Sequence, residues 1–240
     1  MCTLTYIPQS DGFILTSNRD EAKSRKVATF PKYKSIEGKK VLFPQDGDAF
    51  GSWIATSENR LVNLLNGAWQ KYDHQPPYRK SRGIVLLDSF KHADFKDFSL
   101  QYDFDNIAPF TIVCLDFKKD LIMNVLRWDG KESSVETLNP QEPHIFSSAP
   151  LYPESIRIER EKLFAEFLQD NEHISPSEMV NFHQFGGNEN APIKLDDNHF
   201  VHTISITSVV KKGHELSMKY HDLIQKEVKT ESLQNLKFEI

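Results

Sequence analysis

Cysteine is scarce in this sequence, with two among 240 residues, at positions 2 and 114. That is too few for the disulfide framework of a small secreted domain. No apolar run approaches the ~18 residues that a membrane-spanning helix needs, so no span is expected. The opening residues lack a basic segment followed by an apolar block, and Asp11 and Asp20 stand where a signal peptide would be apolar, which makes the cytoplasm the expected compartment. Positive charge is not in excess either. Lys+Arg 29 against Asp+Glu 34 gives a net charge of -5, which offers phosphate backbones no general attraction and argues against a nucleic-acid partner. Metal and phosphate signatures are missing too. His199 and His202 have no further ligands at zinc spacing, no His-Glu-x-x-His occurs, and Gly186-Gly187 does not open a helix after a strand. Neither a metal nor a cofactor is expected.

What is present is a globular composition, 39% hydrophobic and 26% charged, on a chain long enough to bury a core without a staple. The pattern opens with a hairpin, Cys2 to Ile7 and Phe13 to Asn18, around the turn formers 8–12. If Ile7 faces Phe13, paired positions sum to 20 and Cys2 lies opposite Asn18, so that Asn18-Arg19-Asp20-Glu21 crowds around the amino terminus. Further strand pairs are expected over 51–57 with 60–66, 110–117 with 121–128, and 202–210 with 215–220, and a short strand at 144–148. Helices are expected over 81–92, in a shorter stretch through Leu100, over 154–169 behind Pro153, and after the capped start Ser175-Pro176-Ser177-Glu178. Strands and helices do not alternate as a repeating unit, so an α+β architecture of mainly antiparallel sheets is expected. No repeat or linker divides the chain, and the polar stretches 67–79 and 186–198 read as loops, which makes residues 1–240 one expected domain.

Cys2 is the chemically unusual residue. Removal of Met1, which a small second residue permits, would put a thiol and a free α-amine on adjacent carbons. Their ordinary pKa values, near ~8.5 and ~7.7–8.0, let the amine act as base for the thiol without a histidine. The competing reading is a small hydrophobe at the start of a buried strand. Cys114, inside the apolar strand 111–115, reads as inert packing.

Met1-Cys2-Thr3, the run Thr16-Ser17-Asn18-Arg19-Asp20-Glu21, Gly51-Ser52-Trp53-Ile54, Leu64-Leu65-Asn66-Gly67-Ala68, Tyr78-Arg79-Lys80-Ser81-Arg82-Gly83 and His202-Thr203-Ile204-Ser205 together resemble the NRDE family, also called the transport-and-Golgi-organisation family. The resemblance implies an N-terminal nucleophile hydrolase-like αββα sandwich of two mainly antiparallel sheets, as in penicillin V acylases and bile salt hydrolases. It implies Cys2 as nucleophile, Arg19 beside the thiolate, Asp20 on the α-ammonium and Asn66 as oxyanion donor. Asn18, Trp53, Ser148 and His202 are the candidate substrate-binding residues; Trp53 also suits the core. Two positions depart from the pattern. Ser148 stands where relatives carry asparagine, and Val201-His202 where the hydrolases often carry an arginine. The expected function is an N-terminal-cysteine amidohydrolase acting on a linear, non-peptide amide by acyl transfer, its partner a small-molecule amide. The alternative is a non-catalytic carrier on the same scaffold for an amphipathic ligand, haem or a lipid or acyl group.

Overall fold

The computed structural model describes residues 3–171, 173–196 and 201–233. Cys2 and His199 lie outside the described residues. Strands β1 (Thr3–Gln9) and β2 (Gly12–Ala22) form the opening hairpin. They pair Leu4 with Ser17, Ile7 with Ile14 and Gln9 with Gly12, so opposed positions sum to 21 rather than 20. The correction comes from the turn. Pro8 and Gln9 stay in the strand, leaving only Ser10 and Asp11 to reverse the chain, and two-residue connections suit the natural twist of a hairpin.

The second sheet runs in chain order through β3 (Lys32–Ile36), β4 (Lys39–Phe43), β5 (Ile54–Thr56), β6 (Arg60–Asn66), β7 (Phe110–Asp116), β8 (Ile122–Trp128) and β9 (Ser133–Leu138). The first sheet is completed by β10 (His144–Ser147), β11 (Val201–Lys212), β12 (Glu215–Asp222) and β13 (Glu227–Leu233), in the spatial order β10-β1-β2-β11-β12-β13. Among the described residues every strand pairing is antiparallel. Helices α1 (Arg82–Asp88, continued by a 3-10 turn at Ser89–Lys91) and α2 (Phe95–Gln101) cover the second sheet. Helices α3 (Glu154–Gln169) and α4 (Pro176–Phe185) cover the first. The expected start of α4 is realised as a capping box, with the Glu178 amide donating to Ser175 Oγ at 3.2 Å and the Ser175 amide donating to Glu178 Oε2 at 2.6 Å.

Period-two alternation builds the layers. Leu4, Tyr6, Phe13 and Leu15 point between the sheets, where they meet Leu42, Leu61, Val113 and Val125. Ile7 and Ile14 point the other way, against Phe164, Met179 and Phe182 of α3 and α4. With both faces covered, β2 is buried from Phe13 to Asp20 and reads as a continuous rather than an alternating pattern. Each such large apolar side chain contributes roughly 1.5–3 kcal/mol by leaving water. The result is a four-layer αββα sandwich, with antiparallel sheets inside and helices on both outer faces.

Candidate functional site

The site begins with alternation at the end of β2. Arg19 faces the inter-sheet side, where its guanidinium carbon lies 4.3 Å from the centroid of the Trp53 ring. Asp20 faces the helical side. Arg19 is 2% exposed and needs an anion, and its Nη2 donates to Asp46 Oδ2. Asp46 also accepts from Arg25 Nε at 3.1 Å and Nη2 at 2.9 Å, and from the amides of Asp48 at 3.0 Å and Ala49 at 2.7 Å. Burial pushes this carboxyl up, but the Ala49 amide, the Arg25 hydrogen bonds and the Arg19 charge outweigh it and hold Asp46 below the usual carboxylate range.

Arg19, Trp53, Asp46, Asn66, Arg82 and Pro150 line a cavity of about 360 Å³, within the ~300–1,000 Å³ range of ligand sites. Its walls depend on close backbone approaches. A Cβ on Gly51 would come within 2.4 Å of the Gly83 carbonyl carbon, so the loop before β5 can dock on the start of α1 only without a side chain there. The Ser52 amide donates to the Gly83 oxygen across this contact at 3.2 Å. Gly67, at φ +76°, ends β6 in the left-handed region, and a Cβ there would meet the Pro150 ring at 2.3 Å. Two buried donors on the lining residues, Arg19 Nη1 and Trp53 Nε1, have no hydrogen-bond partner among the described residues, and an unpaired buried donor costs on the order of 1–3 kcal/mol.

The model of the family described as Transport and Golgi organisation 2 matches residues 1–221. The chain belongs to this family. Among solved structures, penicillin V acylase from Agrobacterium tumefaciens is similar at a TM-score of 0.61 with 9% identity, over 98% of this chain and 87% of that one. At that identity the likeness is one of fold, and it agrees with the two-sheet sandwich. No curated protein sequence matches.

In this Transport and Golgi organisation 2 family member, the expected site residues fall into separate places. Arg19, Trp53 and Asn66 meet at the cavity. Asp20 is buried behind them, accepting from Thr203 Oγ1 at 2.6 Å and from Tyr152 Oη at 2.9 Å. Burial raises its pKa, opposed by those two hydrogen bonds and by the Arg160 charge. Arg160, fully buried on α3, stacks 3.6 Å from the Tyr152 ring centroid, donates to Thr3 Oγ1 at 2.7 Å and donates to the Pro192 carbonyl. Ser148 lies next to the site without lining the cavity, its hydroxyl taken up by the Asn66 carbonyl at 2.9 Å.

Asn18 and His202 are not brought to the cavity. Even-numbered β2 residues face the helices, and Asn18 donates from Nδ2 to the carbonyls of His183 at 3.2 Å and Ile193 at 2.9 Å while its Oδ1 accepts from His183 Nδ1 at 2.8 Å. His202 pairs with Glu21 across β2 and β11, and lines a separate pocket of about 120 Å³ beside Tyr220 and Asp222. Sequence reasoning missed Asp46, Lys71 and Arg82. A buried arginine demands a carboxylate, but with 34 acidic residues available only the turn formers around Asp46-Gly47-Asp48 hinted at which. Among the described residues no cluster of His, Cys, Asp and Glu is arranged to hold a metal ion, and no helix is long and apolar enough to cross a membrane.

Proposed function

We propose that the chain is an N-terminal-cysteine amidohydrolase that cleaves a linear, non-peptide amide by acyl transfer, working as one domain in the cytoplasm. The observation that carries this is the register of β1. It pairs with β2 at positions summing to 21 and with β10 at Thr3–Ser147 and Leu4–Phe146, positions summing to 150. In this reading the nucleophile preceding Thr3 continues those sums, which makes Arg19 and Ser148 its proposed neighbours. The support is that Arg19, at the matching position of β2, lies on the inter-sheet side and borders the cavity.

In this reading Met1 is removed and the α-amine of Cys2 takes the thiol proton. The sulfur attacks the amide carbonyl carbon, and the resulting oxyanion is received by N–H donors carried by residues that line the cavity, with Asn66, Arg19 and Trp53 as the candidates. One such donor contributes roughly 2.7–4 kcal/mol to the transition state. The C–N bond then breaks, the leaving amine takes the proton from the α-ammonium, and a thioester remains. Water adds to the thioester, the C–S bond breaks, and the acid leaves as the thiol regains its proton. The Asp20 carboxylate, held from the far side by Tyr152 and Thr203, is the counter-ion for the α-ammonium.

Intact-mass analysis after treatment with iodoacetamide tests this. Burial raises the Cys114 thiol far above its ordinary pKa, which leaves Cys2 as the reactive sulfur. The wild-type chain is expected to lack Met1 and to gain one label that Cys2→Ala does not. Equal labelling of the two, or a Met1 retained in the native host, overturns the hydrolase reading. The latter result would leave the same cavity to the carrier reading, with haem or an acyl ligand bound without turnover.

A further inference from the structure

The cavity's outer wall carries charge that the acyl-transfer steps do not use. Four cationic side chains, Arg19, Arg25, Lys71 and Arg82, line it against two carboxylates, Glu21 and Asp46, in a chain whose net charge is -5. Asp46 is occupied by Arg19 and Arg25. Arg82 has no carboxylate partner among the described residues; its Nη1 donates only to neutral oxygens, Tyr72 Oη at 2.7 Å and the Pro109 carbonyl at 3.2 Å. Lys71 makes no ion pair among the described residues. Lys71 sits in the loop between β6 and α1 and Arg82 is the first residue of α1, whereas Arg19 and Trp53 lie on β2 and the loop before β5. Four cations thus face two carboxylates in the cavity, and among the described residues neither Lys71 nor Arg82 has an ion-pair partner.

We propose that the substrate is an anionic amide, one whose acyl portion carries a free carboxylate held by Lys71 and Arg82 while its amide carbonyl lies toward Arg19, Trp53 and Asn66 of the same cavity. This rests on the amidohydrolase reading for the identity of the reacting bond, and on the cavity's charge for the anion. Lys71 and Arg82 are the specificity-determining residues. A guanidinium pre-set by Tyr72 and Pro109 loses little freedom when it receives a carboxylate, and the Lys71 ammonium lining the same cavity adds a charge that salt can screen.

Binding can be separated from turnover by titrating full-length Cys2→Ala calorimetrically with glutaryl-7-amino-4-methylcoumarin and with its neutral monomethyl ester. The acid is expected to bind at least about tenfold more tightly than the ester at low ionic strength, as charge-assisted hydrogen bonds allow. That preference should shrink with added salt and be lost in Lys71→Met/Arg82→Gln on the same background. Should the double variant lose its fold, Lys71→Glu, a change at an exposed position, is expected to reduce the preference several-fold by itself. Equal binding of acid and ester, binding of neither at millimolar concentration, or a preference unchanged by the substitutions overturns the proposal. A preserved preference in a processed wild-type chain that does not hydrolyse the acid sinks the amidohydrolase reading while leaving anion selection standing.

Discussion

Arg19 and Asp20 are adjacent in sequence and occupy opposite faces of one strand, and the two faces are finished differently. On the Arg19 face the guanidinium is anchored at one end by Asp46 and stacked on Trp53, yet among the described residues the buried Nη1 and indole N–H have no partners, and both side chains belong to the lining of a cavity. On the Asp20 face the described side chains close on one another instead. Tyr152 and Thr203 close on the carboxylate, Arg160 closes on Tyr152 and Thr3, and His183 closes on Asn18 and Thr5. One face is prepared for something that arrives, and the other fixes the strand so that the first can be aimed. Preorganisation of this kind requires a rigid support behind each group that meets a ligand.

If that division holds, substitutions on the two faces should separate stability from binding and turnover. The largest loss of stability is expected from Arg160→Met. It leaves Thr3 Oγ1 and the Pro192 carbonyl without their donor and removes the cation over Tyr152, for about 3 kcal/mol by denaturant titration. A loss under about 1 kcal/mol would mean that the helical face is not the anchor described here. Trp53→Phe probes the opposite face. It keeps an aromatic ring under Arg19 but leaves a space where the indole's second ring was, so a stability cost of about 2 kcal/mol is expected. The missing indole N–H should nonetheless lower kcat by tenfold or more if that donor meets the oxyanion. Unchanged turnover would assign Trp53 to the core alone.

The hairpin and the α+β class were legible because they depend on local turn chemistry and on period-two burial. What was not legible follows from the same physics. Lys32–Ile36, Ser133–Leu138 and Glu227–Leu233 are outer strands of their sheets with much exposed surface, so their side chains carry no buried stripe to mark them. The register was missed by one because Pro8 and Gly12 both signal a turn, while the chain reverses between Gln9 and Gly12. At the site, residues on β2, β6 and the loop before β5 could be named from short motifs. Asp46, Lys71 and Arg82 come from segments whose approach to Arg19 depends on how loops close, and no periodicity reports that. Asn18 was read with its neighbours as one polar cluster, although alternation separates it from Arg19.

His183 gives the smallest expected effect at neutral pH and the clearest signature below it. Asn18 Nδ2 already donates to two carbonyls, so Asn18 Oδ1 must be the acceptor toward His183; Nδ1 therefore carries the proton, and Nε2 accepts from Thr5 Oγ1 at 2.8 Å. The ring is held neutral. Burial first, and the Arg160 charge second, lower its pKa to about 3, whereas an unfolded histidine titrates near ~6.5. Between those values the unfolded chain binds a proton that the folded chain does not, so folding stability attributable to this ring is complete above ~6.5 and declines as pH falls toward about 3. Depressed Asp46 contributes a loss in the same direction at lower pH, and Asp20, with its raised pKa, contributes in the opposite sense. In His183→Gln the amide can still hydrogen-bond but cannot take a proton. Its stability at pH 7 should lie within about 1–2 kcal/mol of wild type, and urea midpoints measured from pH 7 to pH 4.5 should fall less steeply than those of wild type. Parallel slopes would show that the ring titrates alike in both states, which a fully buried, doubly hydrogen-bonded neutral imidazole on the anchoring face does not allow.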